Sequence, residues 1–319
     1  MKIMEIFISQ HGSVLFKRGE LLVITNKQEK KEYSYRDISS ILISGDVRLT
    51  TAFIKEAIEN NIDIVLLDKY GFPQGRFFST GLNNLSRVKK GQLICANSEV
   101  GIKLAKEWII EKNIQIKKHL KELKQEDYLT EINIEKYQEK ILNEEDLDII
   151  RGYEGNISKK YFKILGLLMP KDFKFEKRSF RPALDEFNAL LNYFLGILYN
   201  RIEKSCLIAG IDPTIGFFHR DDYNKPSFVF DYIEKYRYIP YGLTLKLFRG
   251  NKVRKSFFVN INNSYFLNEE GKRNLVPIFY DYLNKKVIFN NKKIEIINLI
   301  QEELFQLAKY FVTISKERR

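Results

Sequence analysis

The chain has 319 residues, more than one hydrophobic core usually organises, so two domains are expected. Hydrophobic residues make up 44% and charged residues 29%, which excludes a disordered or collagen-like chain, and 53 Lys plus Arg against 41 Asp plus Glu leave a charge of +12 that points to a polyanionic partner. The longest apolar run, Ala189–Tyr199, is interrupted by Asn192 and too short to cross a bilayer, and two cysteines, Cys95 and Cys206, cannot build a disulfide framework, so no membrane association and a cytoplasmic location are expected.

The first stretch reads as β. Lys2–Ile8, Ser13–Lys17, Glu20–Thr25 and Ile38–Ile43 are short runs rich in β-branched and aromatic residues, with a hairpin loop at Lys17–Glu20. Thr50–Asn60 predicts a helix capped by Thr50, with Phe53, Ile54, Ala57 and Ile58 on one face. Asp63–Leu67 returns as a strand, Gly71–Gly75 reads as a turn and Arg76–Phe78 as a last short strand. From about Leu93 a 3.6-residue period takes over. Helices are predicted at Val100–Leu123, Glu131–Leu142, Ser158–Met169 (closed by Pro170), Leu184–Ile208, Leu267–Leu283 and Ile294–Ile314. The fold class expected is α+β: a small N-terminal β-rich, sandwich-like domain with one helix (1–88), then a larger all-α domain (89–319), joined near Asn84–Gly91.

The basic excess has local peaks. Lys171–Arg181 holds five basic residues against two acidic, among them Lys174, Lys177, Arg178 and Arg181, interleaved with Phe173, Phe175 and Phe180. Lys246–Lys255 carries Arg249, Lys252, Arg254 and Lys255 around a Gly-Asn turn. Such stretches neutralise phosphates and offer stacking faces, and they equally describe solvated loops.

Four positions have apolar neighbours. Glu154 opens the helix whose core face is Ile157, Tyr161, Leu165 and Leu168, and counting back places it on that face, where a carboxylate needs a cation, donors or a metal; a Glu favoured by a helix terminus is the plainer alternative. His219 ends Ile215-Gly216-Phe217-Phe218-His219 and reads as a ligand or as a satisfied core histidine. Asp231 and Glu234 stand at i and i+3, able to present two oxygens to one divalent cation or to pair locally with Lys235 and Arg237. Phosphate-binding glycine loops and the hydrolase nucleophile elbow are absent. One His and a few carboxylates in a basic chain suit a hard divalent cation acting on phosphodiesters.

These stretches resemble the Cas-one family, the CRISPR-associated endonuclease/integrase of the spacer-acquisition module. The likeness runs through Ile41–Phe77, Arg87–Gln92 (RVKKGQ), Gly152–Tyr161 (GYEGNISKKY), Arg181–Tyr193 (RPALDEFNALLNY), Ala209–His219 (AGIDPTIGFFH), Ser227–Arg237 (SFVFDYIEKYR) and, more weakly, Leu267–Lys272. The resemblance implies a metal-dependent DNA endonuclease and integrase that inserts spacers into CRISPR arrays by transesterification. It implies Glu154, His219 and Glu234 as metal-binding and catalytic positions, Asp231 as a supporting acid, and Mg²⁺ or Mn²⁺ as cofactor. Asn188 and Tyr193 match positions that read as packing or channel-lining. DNA (protospacer and repeat), a homodimer built on the β-rich domain and the small Cas-two protein are the implied partners. The chain departs from the family in having Lys225 where an Arg is common, and Ile239-Pro240-Tyr241-Gly242 where an Asp often follows Arg237. The competing expectations are a non-catalytic nucleic-acid-binding scaffold and a transposon-type integrase of the same superfamily.

Overall fold

The computed structural model describes residues 4–26, 28–60, 62–68, 73–77, 85–219 and 225–317. The chain divides into two compact units, Met1–Asn83 and Asn84–Arg319.

The first unit contains β1 (Met4–Ile8), β2 (Val14–Arg18), β3 (Leu21–Thr25), β4 (Lys30–Ser34), β5 (Ile38–Ile43), β6 (Arg48–Leu49), α1 (Thr51–Glu59), β7 (Asp63–Leu67) and β8 (Pro73–Phe77). Two four-stranded sheets form, in the orders β4-β3-β2-β6 and β1-β5-β7-β8. In the second, β1, β5 and β7 run parallel and β8 antiparallel. Leu15 and Leu22 from one sheet, Ile41 and Ile64 from the other, and Phe53 of α1 are fully buried in one shared core. The β2–β3 turn is Gly19-Glu20, with Gly19 at φ +58, the left-handed backbone a two-residue hairpin requires. Thr50 caps α1 as expected, its side chain accepting from Phe53 N–H at 3.3 Å.

Two details of this unit differ from expectation. The sequence at Lys30–Ser34 (KKEYS) carries no apolar alternation, yet it pairs with β3 at the end of its sheet, where lysines discourage further pairing. Pro73, Gln74 and Gly75, expected in a turn, open β8, also at a sheet end; Gly71 and Phe72 lie outside the described residues. Proline is tolerated there because it need not donate to a ladder.

The second unit contains α2 (Leu85–Ala96), α3 (Glu99–Glu122), α4 (Asp127–Ile132), α5 (Ile134–Asn143), α6 (Leu147–Leu167), α7 (Glu186–Ala209), α8 (Ser227–Tyr232) and α9 (Tyr238–Arg249). The hairpin β9 (Phe258–Ile261) with β10 (Ser264–Leu267) precedes α10 (Glu269–Leu283), and the hairpin β11 (Lys286–Phe289) with β12 (Lys292–Glu295) precedes α11 (Ile296–Glu317). The unit is mostly helical, with the two hairpins added to what reads from sequence as all-α. Their turns are Asn262-Asn263 and Asn290-Asn291, all four at positive φ, as the tight hairpin turn demands. The central helix α7 buries Phe187, Leu190, Leu191, Phe194, Leu198 and Ile202. Asp185 caps it, accepting from Asn188 N–H at 2.7 Å, and left-handed Gly210 ends it.

Where a linker is expected at Asn84–Gly91, α2 already runs from Leu85. It packs so tightly on α11 that a Cβ on Gly91 would stand 1.8 Å from the Phe311 carbonyl oxygen. Gly91→Ala is therefore expected to destabilise the helical unit by about 1–3 kcal/mol or more, read as a lower urea midpoint.

Candidate active site

Helix α6 starts earlier than its apolar period suggests. Asp146 caps it, accepting from Asp148 N–H at 2.7 Å and Ile149 N–H at 3.3 Å. Glu154 thus lies two turns inside the helix, which removes the helix-terminus explanation. It faces inward on the same side as buried Ile157, Tyr161 and Leu165.

Its partner there is Lys112 of α3. The Lys112 ammonium bonds Glu154 Oε1 and, at 2.6 Å, Glu234 Oε2. The lysine side chain is wholly inaccessible and that of Glu234 is 2% exposed, while Glu154 keeps 17%, so Glu154 is the acid that meets solvent. Arg237 Nη1 takes the other Glu234 oxygen at 2.8 Å, and its Nη2 donates to the Tyr199 hydroxyl at 3.0 Å. Ser158 Oγ donates to Glu154 Oε1 at 2.7 Å. Two carboxylates and two cations make the group electrically balanced. Burial alone would push the Glu154 carboxyl up; the Lys112 ammonium outweighs it and holds the group down at about 2. Burial would likewise strip the Lys112 proton, but Glu154 and Glu234 raise its pKa instead.

Asp231 and Glu234 take different partners. Helix α8 ends at Tyr232 and tightens into a single 3₁₀ turn, Ile233–Tyr236, so the two side chains part. Glu234 turns to Lys112, whereas Asp231 reaches the loop before α8. Its Oδ2 accepts from the N–H groups of Phe217 (2.5 Å) and Phe218 (2.9 Å), and its Oδ1 from His219 N–H (2.8 Å) and the His219 ring at Nδ1 (2.6 Å). The loop can approach because residue 216 is Gly: a Cβ there would meet Ser227 Cβ at 2.7 Å and Asp231 Oδ2 at 3.0 Å. With Nδ1 engaged, the His219 ring has its Nε2 left for a ligand, on a side chain 31% exposed. Of the local pairs weighed from sequence, Glu234–Arg237 forms; Lys235 goes to Glu303 at 2.7 Å instead of to Asp231.

Glu154 and Glu234 therefore meet on one cation, and His219 is held by Asp231. Among the described residues, no three His, Cys, Asp or Glu side chains gather closely enough to hold a metal ion together. The two carboxylates that share a cation, and an imidazole nitrogen set by a third carboxylate, are oxygen and nitrogen donors of the kind Mg²⁺ and Mn²⁺ take, though His219 does not join the two acids here.

Of the basic candidates, Lys174, Lys177, Arg181, Lys225, Arg249, Lys252, Arg254 and Lys255 are exposed, as a backbone-gripping surface requires. Arg178 is not a free surface residue. Its guanidinium bonds Asn188 Oδ1 at 2.9 Å, Asn192 Oδ1 at 2.5 Å and the Ser179 carbonyl, and lies 5.7 Å from the centre of the Phe180 ring. Asn188 is fully buried and also ties Lys177 and Ser179 to α7, in keeping with a packing role.

Lys112 does not stand out in the sequence, because α3 is rich in lysine. A signal was present: Ala105, Trp108, Ile109, Lys112, Ile116 and Leu120 follow one buried stripe at 3- and 4-residue steps, and a lysine in such a stripe needs an anionic partner.

The family described as "CRISPR associated protein Cas1" matches residues 6–280. The CRISPR-associated endonuclease Cas1 2 of Saccharolobus solfataricus is 28% identical over 248 residues, covering 77% of this chain and 76% of that protein. The CRISPR-associated endonuclease Cas1 1 of Archaeoglobus fulgidus is 26% identical over 322 residues, covering 93% of each. A casposase bound to integration product superposes with a TM-score of 0.85 at 26% identity, covering 98% of this chain and 91% of that one. A Cas1 protein of Thermotoga maritima shares the fold at a TM-score of 0.84 and 22% identity, covering 97% of each chain. A Cas6-RT-Cas1–Cas2 complex contains the same fold, at a TM-score of 0.80 and 19% identity over 99% of this chain and 35% of that one.

Proposed function

Because the chain belongs to the Cas1 family of CRISPR-associated proteins, we propose that it is a metal-dependent DNA endonuclease and integrase that inserts spacers into CRISPR arrays. The observation that carries this reading is the convergence of Glu154 and Glu234, from two different helical segments, on one buried cation inside a chain of charge +12. Relatives named as endonucleases, and the fold of a casposase bound to integration product, support the reaction class.

Glu154, Glu234 and His219 would hold Mg²⁺ or Mn²⁺, which, when bound, supplies polarisation of a phosphodiester and stabilisation of its developing charge. Asp231 orients the imidazole through Nδ1 and fixes the loop that carries it. The exposed basic residues of 171–181 and 246–255, with Lys225, bind the DNA backbone without reading sequence. The physiological step is attack of a fragment's 3′-hydroxyl on a repeat phosphodiester, a transesterification. The partners are protospacer and repeat DNA, a second copy of the chain joined through the β-rich unit, and Cas2; a chain of this fold occurs in a complex whose name includes Cas2.

Glu154→Ala, His219→Ala and Glu234→Ala should each lower Mn²⁺-dependent cleavage and strand joining by about 10²-fold or more. Undiminished activity in all three folded variants would overturn the proposal and leave a DNA-binding scaffold.

A further inference from the structure

Lys112 stands where a metal held by Glu154 and Glu234 would have to bind. Its helix delivers it there by periodicity, in line with Ala105, Trp108, Ile109 and Ile116. Glu234 has no oxygen free of a cation: Oε2 carries Lys112 at 2.6 Å and Oε1 carries Arg237 at 2.8 Å. The inward oxygen of Glu154 carries Lys112 and the Ser158 hydroxyl. A divalent cation reaching both carboxylates must share or take an oxygen already bonded to a positive group. At oxygens this far buried, two cations on the same oxygens repel strongly. Arg237 is tied on its far side to Tyr199, whereas the lysine ammonium is a compact charge on a flexible four-carbon stem. Lys112, which alone of the two bonds both acids, is the cation a metal bridging them must displace, although Arg237 is the more exposed.

Resting on the metal-dependent reading above, we propose that Lys112 is a resident counter-cation that competes with the metal for Glu154 and Glu234, and that metal binding expels its ammonium from the pair. Lys112 keeps the two acids together and charge-balanced before the metal arrives, and it weakens the metal's grip. Metal occupancy is thereby coupled to withdrawal of a side chain of α3.

The test is calorimetric titration of the full chain with Mn²⁺ alone, beside thermal melts in chelator and in Mn²⁺. Lys112→Met should bind Mn²⁺ roughly tenfold or more tightly than the native protein, and Lys112→Arg, which keeps the charge, should not. Lys112→Met should also melt lower than the native protein in chelator and recover most of that loss in Mn²⁺, because the metal replaces the missing cation. Folding of Lys112→Met only in the presence of Mn²⁺ would support the proposal in the same way. Equal or weaker Mn²⁺ binding by Lys112→Met, or failure to fold even with Mn²⁺, would overturn it. The two levels separate cleanly. Native Mn²⁺ binding that survives Glu154→Ala removes the metal reading itself, whereas binding that depends on Glu154 but is unchanged in Lys112→Met removes the displacement alone.

Discussion

Replacing Glu234 with alanine is expected to cost about 3–5 kcal/mol of stability along with DNA cleavage. Glu234 is the hub of the ion network, with Lys112 on one oxygen and Arg237 on the other, and its own side chain is 2% exposed. Its loss leaves Arg237 without a carboxylate and Lys112, wholly buried, with Glu154 alone, and an uncompensated buried charge costs far more than an intact pair contributes. Glu154→Ala should cost less. That side chain is more exposed, and Glu234 still balances Lys112. The combined variant Lys112→Met with Glu234→Leu removes one acid and one base, leaving Glu154 and Arg237 as a balanced remainder. It should regain most of the lost stability, since apolar replacement of a buried pair is often neutral, while cleavage stays absent. Urea unfolding beside a cleavage assay separates the two roles. A Glu234→Ala variant within about 1 kcal/mol of the native protein would contradict the hub role. So would a double variant no more stable than the single one.

Asp231→Ala is expected to cost about 3 kcal/mol or more and to lower cleavage roughly 10–100-fold. The Asp231 carboxylate takes three successive backbone N–H groups, of Phe217, Phe218 and His219, and the His219 ring as well. Removing it leaves these donors unpaired in a site where Asp231, Phe217 and Phe218 are buried, each at about 1–3 kcal/mol. Asp231→Asn should fall between, because its amide nitrogen sets a donor against donors on one side only. His219→Ala gives the contrast: cleavage falls while stability holds, since its ring is partly exposed and the loop keeps its carboxylate. Melting temperature and rate are measured together. An Asp231→Ala protein as stable as the native one would show that this carboxylate does not hold the loop.

Much of the architecture was legible because it rests on periodicity. Ile38–Ile43 and Asp63–Leu67 matched their strands to the residue, and Thr50 its cap, since β-branched runs and an N-capping hydroxyl act locally. What failed to show had physical reasons. The strand Lys30–Ser34 lies at the end of its sheet, where apolar residues are not needed. The helix Tyr238–Arg249 is buried nearly all round, at Ile239, Tyr241, Leu243, Leu245, Leu247 and Phe248, so it has no polar face to reveal its period. The Asn-Asn pairs of the two hairpins do carry a local signal, since asparagine tolerates the left-handed backbone of a tight turn.

The residues that carry the site divide in the same way. An inward carboxylate at 154, a histidine after two phenylalanines and a pair of acids at 231 and 234 stand out in a basic chain from the order of residues alone, and the family likeness follows from those same stretches. It takes the folded chain to show that Asp231 and Glu234 part company, one organising a loop and the other anchoring two cations. Only it showed that Lys112, 42 residues before Glu154 and 122 before Glu234, holds the acids together. A 3.6-residue period reports which way a side chain points, but the partner that neutralises a buried charge comes from another helix.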